Sequence, residues 1–121
     1  MGYTMKELKT LDVYMLSEEL SDHIWRIFDS WDRKARNTIG YQIIRAADSI
    51  AANLAEGYGR YSYADRRRFY HYARGSLEET KAWLRKAERR KLLQEGDRNT
   101  LVQLLDKVGP KLNGFIRSTH A

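Results

Sequence analysis

The sequence has no cysteine, a single proline and no long apolar run, and each shortage excludes a class of protein. Without cysteine the chain forms no disulfide, no catalytic thiolate and no cysteine-ligated zinc or iron-sulfur site. No apolar run approaches the roughly 20 residues needed to span a bilayer, and residues 1–12 lack the apolar stretch of a signal peptide. We therefore expect a cytoplasmic protein with no membrane partner.

The low content of turn-forming residues also argues against a β architecture. One proline and eight glycines are few for a chain with many hairpins, and most of the glycines lie where helices are expected to end. With 121 residues, 42% of them hydrophobic, the chain is long enough for one core and too short for two. We predict a single domain over residues 1–121.

Apolar residues recur every three or four positions in four segments, which is the period of amphipathic helices. The predicted helices cover residues 11–30, 38–58 and 62–92, and a fourth begins after Asp97 as its N-cap. Ser62, followed by Asp65, resembles a capping box at the start of helix three. The short connections predict an all-α, up-down antiparallel four-helix bundle. Pro110 predicts a kink or short break in helix four near Gly109.

Two helices carry more apolar surface than one bundle needs. Helix two is apolar or small around most of its circumference, which predicts that it lies at the centre of the fold. Helix three has a core line of Phe69, Ala73, Ser76, Thr80, Leu84 and Ala87, flanked by further aromatic residues. This surplus apolar surface predicts a homo-oligomer.

The positive charge of the chain is concentrated in one segment. The net charge is +6, and residues 57–91 hold eleven cations against four carboxylates, a net of +7, so the remainder carries −1. On a helical projection Arg67, His71, Arg74, Lys81, Arg85 and Arg89 fall opposite the core line. Such a stripe suits a phosphate backbone, because guanidinium groups bind phosphate oxygens and released counterions add affinity. Tyr61, Tyr63, Tyr70 and Tyr72 are placed to stack on unpaired bases.

Three interpretations of the stripe stay open. It is a solvated face with pairs such as Glu78 with Lys81 and Glu88 with Arg85, a polyanion-binding surface, or a surface that docks on the acidic face of helix one in another subunit. For the second interpretation the candidate nucleic-acid-binding residues are Arg60, Arg67, Arg68, Arg74, Lys81, Arg85, Arg89 and Arg90.

No catalytic, cofactor or metal motif occurs. The residues three before His23, His71 and His120 are not glutamates, so the di-iron motif of helical bundles is absent. Glu19 and His23 share a helix face, which we interpret as an exposed ion pair rather than a metal site. We therefore predict no enzyme, no metal and no cofactor. Four polar residues on helices that otherwise look buried are predicted to form a structural network: Arg45, Asn53, Glu56 and Glu79.

Several motifs resemble one family. In residues 42–62 these are Arg45-Ala46-Ala47, Ser49-Ile50, Asn53, Ala55-Glu56-Gly57 and Gly59-Arg60, and in residues 68–80 they are Phe69, Ala73, Gly75-Ser76-Leu77 and Glu79. Together they are similar to the four-helix-bundle proteins encoded in intervening sequences of bacterial 23S ribosomal RNA genes. The similarity covers most of the first ~90 residues.

The resemblance implies a homopentameric up-down bundle with no established enzymatic activity. It also implies a relation to the basic accessory proteins of diversity-generating retroelements, which partner a reverse transcriptase and nucleic acid. We therefore predict an oligomeric protein that binds RNA or DNA phosphates. The alternative is an interaction scaffold that docks a protein partner such as a polymerase, without contacting nucleic acid.

Overall fold

The computed structural model describes Leu8 and residues 11–120, and in this part of the chain every regular element is helical. The four long helices are α1 (Asp12–Ile27), α2 (Tyr41–Tyr58), α3 (Tyr63–Arg89) and α4 (Glu95–Ser118). None of these helices is both long enough and apolar enough to cross a membrane. The predicted all-α four-helix bundle is confirmed.

The helices pack as a closed ring in chain order. Each packs on its neighbour in the sequence, and α4 completes the ring by packing on α1. The α2–α3 contact is the most extensive and the α3–α4 contact the least. Short links at residues 59–62 and 90–94 make consecutive helices antiparallel.

The connection between α1 and α2 is more helical than the sequence predicted. A 3₁₀ turn (Phe28–Ser30) is followed by Asp32, whose carboxylate accepts a hydrogen bond of 2.8 Å from the Ala35 amide. This N-cap starts a helical turn (Arg33–Ala35) that passes through a π-helical turn (Arg36–Gly40) into α2 without a break. The helical turns over residues 33–40 were not predicted from the sequence, because their outward residues are almost all polar or charged.

The ends of α3 follow standard capping chemistry. Ser62 accepts a hydrogen bond of 3.1 Å from the Asp65 amide, which confirms the predicted N-cap. At the other end Lys91 has a φ of 59°, and the Leu92 amide donates to the Ala87 carbonyl at 3.0 Å. This pattern is a Schellman motif with lysine at the position usually held by glycine.

The predicted N-cap of α4 was wrong. Its N-cap is Gln94, so Asp97 lies inside the first turn instead of capping it. The short break expected near Gly109 is absent, because α4 continues through Pro110. Pro110 is exposed, so the Asp106 carbonyl that loses its donor can bond to water. A kink at this position stays a prediction.

The core runs along the inner faces of all four helices. It is built from aliphatic residues with one fully buried aromatic ring, Tyr70, which packs at 4.7 Å between ring centroids against Phe115 of α4. Small residues on α2, including Ala47 and Gly57, allow α3 to approach closely. Close packing of α2 against α3 fixes which side of α3 faces outward.

Candidate nucleic-acid interface

The core line of α3 is rotated relative to the line predicted from the sequence. Tyr70 and Leu77 are buried, whereas Phe69 and Ser76 are only half-buried on the side of α2. The cation stripe is displaced by the same rotation. Arg67, Lys81 and Arg85 lie on the flank of α3 that faces α4. His71, Arg74, Arg85 and Arg89 are exposed as predicted.

Contacts with α4 confirm this placement. The Arg67 guanidinium donates a hydrogen bond of 2.8 Å to the Thr119 carbonyl beyond the end of α4. Lys81 and Arg85 line a groove of about 290 Å³ between α3 and α4, whose floor includes Leu84 and Leu101. Arg67 and Lys81 are therefore half-buried, and their predicted role as fully outward residues was wrong.

Three of the candidate cations have carboxylate partners. Arg60 pairs with Glu56 at 2.9 Å. Arg68 pairs with Asp65 at 3.3 Å, and Lys81 pairs with Glu78 at 3.2 Å, as predicted. These pairs are all at least one-third exposed, and exposed pairs contribute about 0–1 kcal/mol, so a phosphate can compete for the same cations.

The other candidate cations on α3 and at its C-cap are exposed without a carboxylate partner in the described part of the chain: Arg74, Arg85, Arg89 and Arg90. The predicted pair between Glu88 and Arg85 was wrong, because Glu88 bonds at 2.6 Å to Arg98 of α4. Arg98 was not among the candidate residues, because it lies outside the basic segment of residues 57–91. Its pairing leaves the Arg85 guanidinium unneutralised.

The tyrosines of the basic segment divide into two groups. Tyr61 is 98% exposed, and Tyr63 and Tyr72 are 44% and 48% exposed. Tyr70 is only 1% exposed, so the prediction that it stacks on bases was wrong. Its ring fills the core beside Gly57 instead.

The four residues predicted as a buried polar network do not form one. Arg45, Glu56 and Glu79 are exposed, and no hydrogen bond within the described residues joins any two of the four. Glu79 accepts from the Trp83 indole at 3.1 Å, and Glu56 pairs with Arg60. The prediction failed because α2 exposes small residues such as Ala52, so its apolar pattern overstated its burial.

A smaller polar link does join α2 to α3. The Ser49 and Ser76 hydroxyls are 2.8 Å apart. The Asn53 amide donates to both the hydroxyl and the carbonyl oxygen of Ser49 at 2.9 Å. Asn53 therefore keeps a structural role, with two serines that were not among the predicted members.

The α1–α2 face carries charge of the opposite sign. Glu18 and Asp22 of α1 lie near Asp48 of α2, and burial together with these two carboxylates raises the pKa of Asp48. A hydrogen bond to Glu18 is the main cause that raises the pKa of Tyr14 to about 12. The bundle is thus acidic along α1–α2 and basic along α3.

Next to these carboxylates lies an exposed patch, called here the aromatic patch: Trp25, Phe28, Tyr41 and Ile44. Trp25 is 62% exposed and Tyr41 is 61% exposed, and the patch borders a concave surface of about 490 Å³. The aromatic patch was not predicted from the sequence. Trp25 and Tyr41 fall on polar sides of their helices, and only the packing of α1 against α2 brings them together.

No arrangement for metal binding emerges from the described residues. They contain no group of three or more His, Asp or Glu side chains suited to a metal ion. His23 lies 3.6 Å from Asp97 of α4, so its predicted exposed pair with Glu19 was wrong.

Fold and surface together define a class of protein, a small helical bundle with one basic face. The model of the 23S rRNA-intervening sequence protein family matches residues 9–114, and the chain belongs to this family. The resemblance predicted from α2 and α3 is confirmed, and the match continues into α4. The family is not known as an enzyme family. A search of curated proteins found no match.

Proposed function

We propose that this protein is a non-catalytic, oligomeric nucleic-acid-binding protein that contacts RNA or DNA phosphates through α3. The observation that carries the proposal is the row of exposed guanidinium groups without carboxylate partners in the described chain: Arg74, Arg85, Arg89 and Arg90. Unneutralised arginines on one helix create a local positive potential, and phosphate contacts of this kind confer little base specificity.

The test is the affinity for a fluorescently labelled structured RNA and for duplex DNA at several salt concentrations, measured by anisotropy. We expect binding at low salt that weakens steeply as salt rises, since counterions are released on binding. Absence of binding at low salt, or affinity indifferent to salt, contradicts the proposal.

A double variant assigns the binding to α3. Arg74→Glu with Arg85→Glu is expected to lower the affinity at least ~10-fold, with an unchanged helical circular dichroism spectrum, because both side chains are exposed. Arg67 is left intact because it bonds to Thr119. The matched control is Arg26→Glu with Lys107→Glu, which changes the net charge equally on α1 and α4. Equal losses in both double variants contradict the assignment.

We propose self-association through the aromatic patch, with a second copy of this chain as the occupant. Exposed Trp25 and Tyr41 beside the carboxylates of the α1–α2 face are complementary to a partner surface with both a cation and an aromatic ring. Lys86 beside Trp83 on α3 of another copy offers both, and neither residue is among those proposed to bind nucleic acid. Five copies of 14.2 kDa are expected from the family resemblance.

Light scattering measures this assembly. Trp25→Lys is expected to reduce the mass to that of the monomer, because it places a cation in an interface whose partner surface is basic. Val102→Lys, at an exposed apolar residue of α4, is the matched control and keeps the oligomer. A wild-type protein of 14.2 kDa in solution contradicts the self-association.

A protein-interaction scaffold is the second candidate, because the aromatic patch also fits a different protein. In that case a partner such as a polymerase covers the oligomer, and the wild-type affinity for nucleic acid is close to zero. A pull-down with nuclease treatment separates the two functions. Partners retained after nuclease, combined with no RNA or DNA binding by the purified protein, favour the scaffold.

A further inference from the structure

The junction of α2 and α3 concentrates aromatic rings and guanidinium groups in a way that phosphate binding alone does not require. We call this region the α2–α3 corner, and its members are Arg60, Tyr61, Tyr63, Arg66, Arg68, Phe69 and Tyr72. They belong to the link after α2 and to the first turns of α3. Their chemistry differs from that of Arg74 and Arg85, which have no aromatic neighbour among the described ring contacts.

The arginines of the corner are held against aromatic rings. The guanidinium carbons of Arg60 and Arg68 lie 4.6 and 4.7 Å from the centre of the Phe69 ring. Arg66 lies 5.2 Å from the centre of the Tyr63 ring and donates a hydrogen bond of 2.7 Å to the Arg60 carbonyl. Stacking of this kind stabilises the charged heads in fixed positions and lowers the entropy lost when they bind a ligand.

The tyrosines of the corner present ring surface to solvent beside these cations. Tyr61 is almost fully exposed, and about half of Tyr63 and Tyr72 is exposed. Arg68 also bonds to the Tyr72 hydroxyl at 3.4 Å, which orients that ring. This bond above all raises the pKa of Arg68.

Exposed rings next to arginines suit a nucleotide, whose base can stack on a ring while its phosphate contacts a neighbouring arginine. Stacking of a base on an aromatic side chain contributes about 1–3 kcal/mol and requires a base that is not already stacked in a duplex. Carboxylates already balance part of the charge, since Arg60 and Arg68 have acidic partners. The distinguishing property of the corner is therefore its aromatic surface rather than its net charge.

We propose that the α2–α3 corner binds unpaired nucleotides, with bases stacked on Tyr61, Tyr63 and Tyr72 and with the neighbouring arginines against the phosphates. The inference rests on the proposed nucleic-acid function and adds the class of target to it. Single strands, loops and bulges are preferred over continuous duplex, and the same chemistry serves RNA and single-stranded DNA.

The test compares three labelled probes of equal length: uridine homopolymer RNA, thymidine homopolymer DNA and a blunt DNA duplex. The wild-type protein is expected to bind the single strands more tightly than the duplex at the same salt concentration. Tyr61→Ala with Tyr63→Ala is expected to weaken single-strand binding at least ~10-fold and to leave duplex binding unchanged. Tyr61→Phe with Tyr63→Phe keeps the single-strand affinity, because a phenyl ring still stacks.

Val102→Ala is the matched control for removal of an exposed apolar side chain, since Val102 is 48% exposed on α4 and belongs neither to the α2–α3 corner nor to the aromatic patch. The inference is overturned, and phosphate binding survives, if single strands and duplex are bound equally or if the alanine pair weakens both alike. It is also overturned if the alanine pair changes the mass of the oligomer. If the wild-type protein binds no probe at low salt, the proposed function fails as well.

Discussion

At the scale of single residues, α2 and α3 pack closely at Gly57. A Cβ atom added at Gly57 would lie 2.7 Å from Tyr70 Cε1 and 2.9 Å from Phe69 Cβ. Both side chains would have to move. Tyr70 is buried in the core, and two arginines stack on the Phe69 ring. Gly57 is therefore required for close approach rather than for a turn.

Gly57→Ala is expected to lower the free energy of unfolding. The overpacking costs about 1–3 kcal/mol and exceeds the ~1 kcal/mol gained in helix propensity. Gly75→Ala is the matched control, because nothing lies within 4 Å of its added Cβ, and it is expected to raise stability by about 0.5–1 kcal/mol. Urea unfolding measures both, and a stabilising Gly57→Ala contradicts the packing argument.

The carboxylates of the α1–α2 face give a second prediction for a single residue. Burial and the charges of Glu18 and Asp22 raise the pKa of Asp48 in the folded state, so the folded protein binds this proton more tightly than the unfolded chain does. Ionised Asp48 thus lowers stability at neutral pH, and the loss is relieved as pH decreases through the raised pKa.

Asp48→Asn is expected to melt at a higher temperature than the wild type at pH 7, with an advantage that shrinks as the pH approaches 4. Thermal unfolding followed by circular dichroism over this range measures the difference. Asp106→Asn, on the exposed side of α4, serves as the control. An advantage independent of pH would mean that the carboxylate charge is not the cause.

At the scale of the helices, apolar periodicity was sufficient to locate all four and to predict the end of α2 at Tyr58. It did not determine which residues of α3 face inward. Phe69 and Tyr70 are adjacent aromatic residues, and the choice of Tyr70 for the core depends on Gly57 of α2, which no single-helix pattern contains. That rotation is also why Arg67 and Lys81, two members of the cation stripe, are less exposed than predicted.

The same limit applies to the candidate site. The basic segment was visible in the composition, and the exposed arginines Arg74 and Arg85 were found from it. Partners from other helices could not be found in this way. The Thr119 carbonyl accepts a hydrogen bond from Arg67, and Arg98 pairs with Glu88, which had been predicted to pair with Arg85. Both contacts arise from the packing of α4 on α3.

Pro110 gives the prediction that belongs to a single helix. Proline inside a helix costs about 3 kcal/mol relative to alanine, and exposure on α4 lets water compensate only part of that cost. Pro110→Ala is expected to raise the free energy of unfolding by about 1–3 kcal/mol in urea titrations. Asn113→Ala, also exposed on α4, is expected to change it by less than ~1 kcal/mol. Equal effects would show that α4 tolerates the proline without cost.

At the scale of the whole molecule, the acidic α1–α2 face and the basic α3 face make each copy electrically two-sided. A two-sided subunit favours head-to-tail contacts, and these close into a ring when the rotation between copies permits. A ring would repeat the exposed arginines of α3 around one assembly. Several weak phosphate contacts on a single polymer then reinforce one another.

Thermal unfolding tests this picture of one domain in an oligomer. A single cooperative transition is expected, with a Tm that increases with protein concentration, since association stabilises the folded chain by mass action. Trp25→Lys is expected to remove the concentration dependence, and Val102→Lys is expected to retain it. Two separate transitions would contradict the single domain, and a Tm independent of concentration in the wild type would contradict the assembly.

The closure of the ring by α4 against α1 has a consequence for synthesis of the chain. α4 is in contact with α1, which is made before the other three long helices, more than with α3, the helix made just before it. At about 5–20 residues per second, the 24 residues of α4 take roughly 1–5 s to translate. Throughout that interval the inner face of α1 has been made and its final partner has not. The nascent protein therefore exposes an apolar stripe until α4 has been made, and slow translation of the codons for α4 would prolong its need for chaperones.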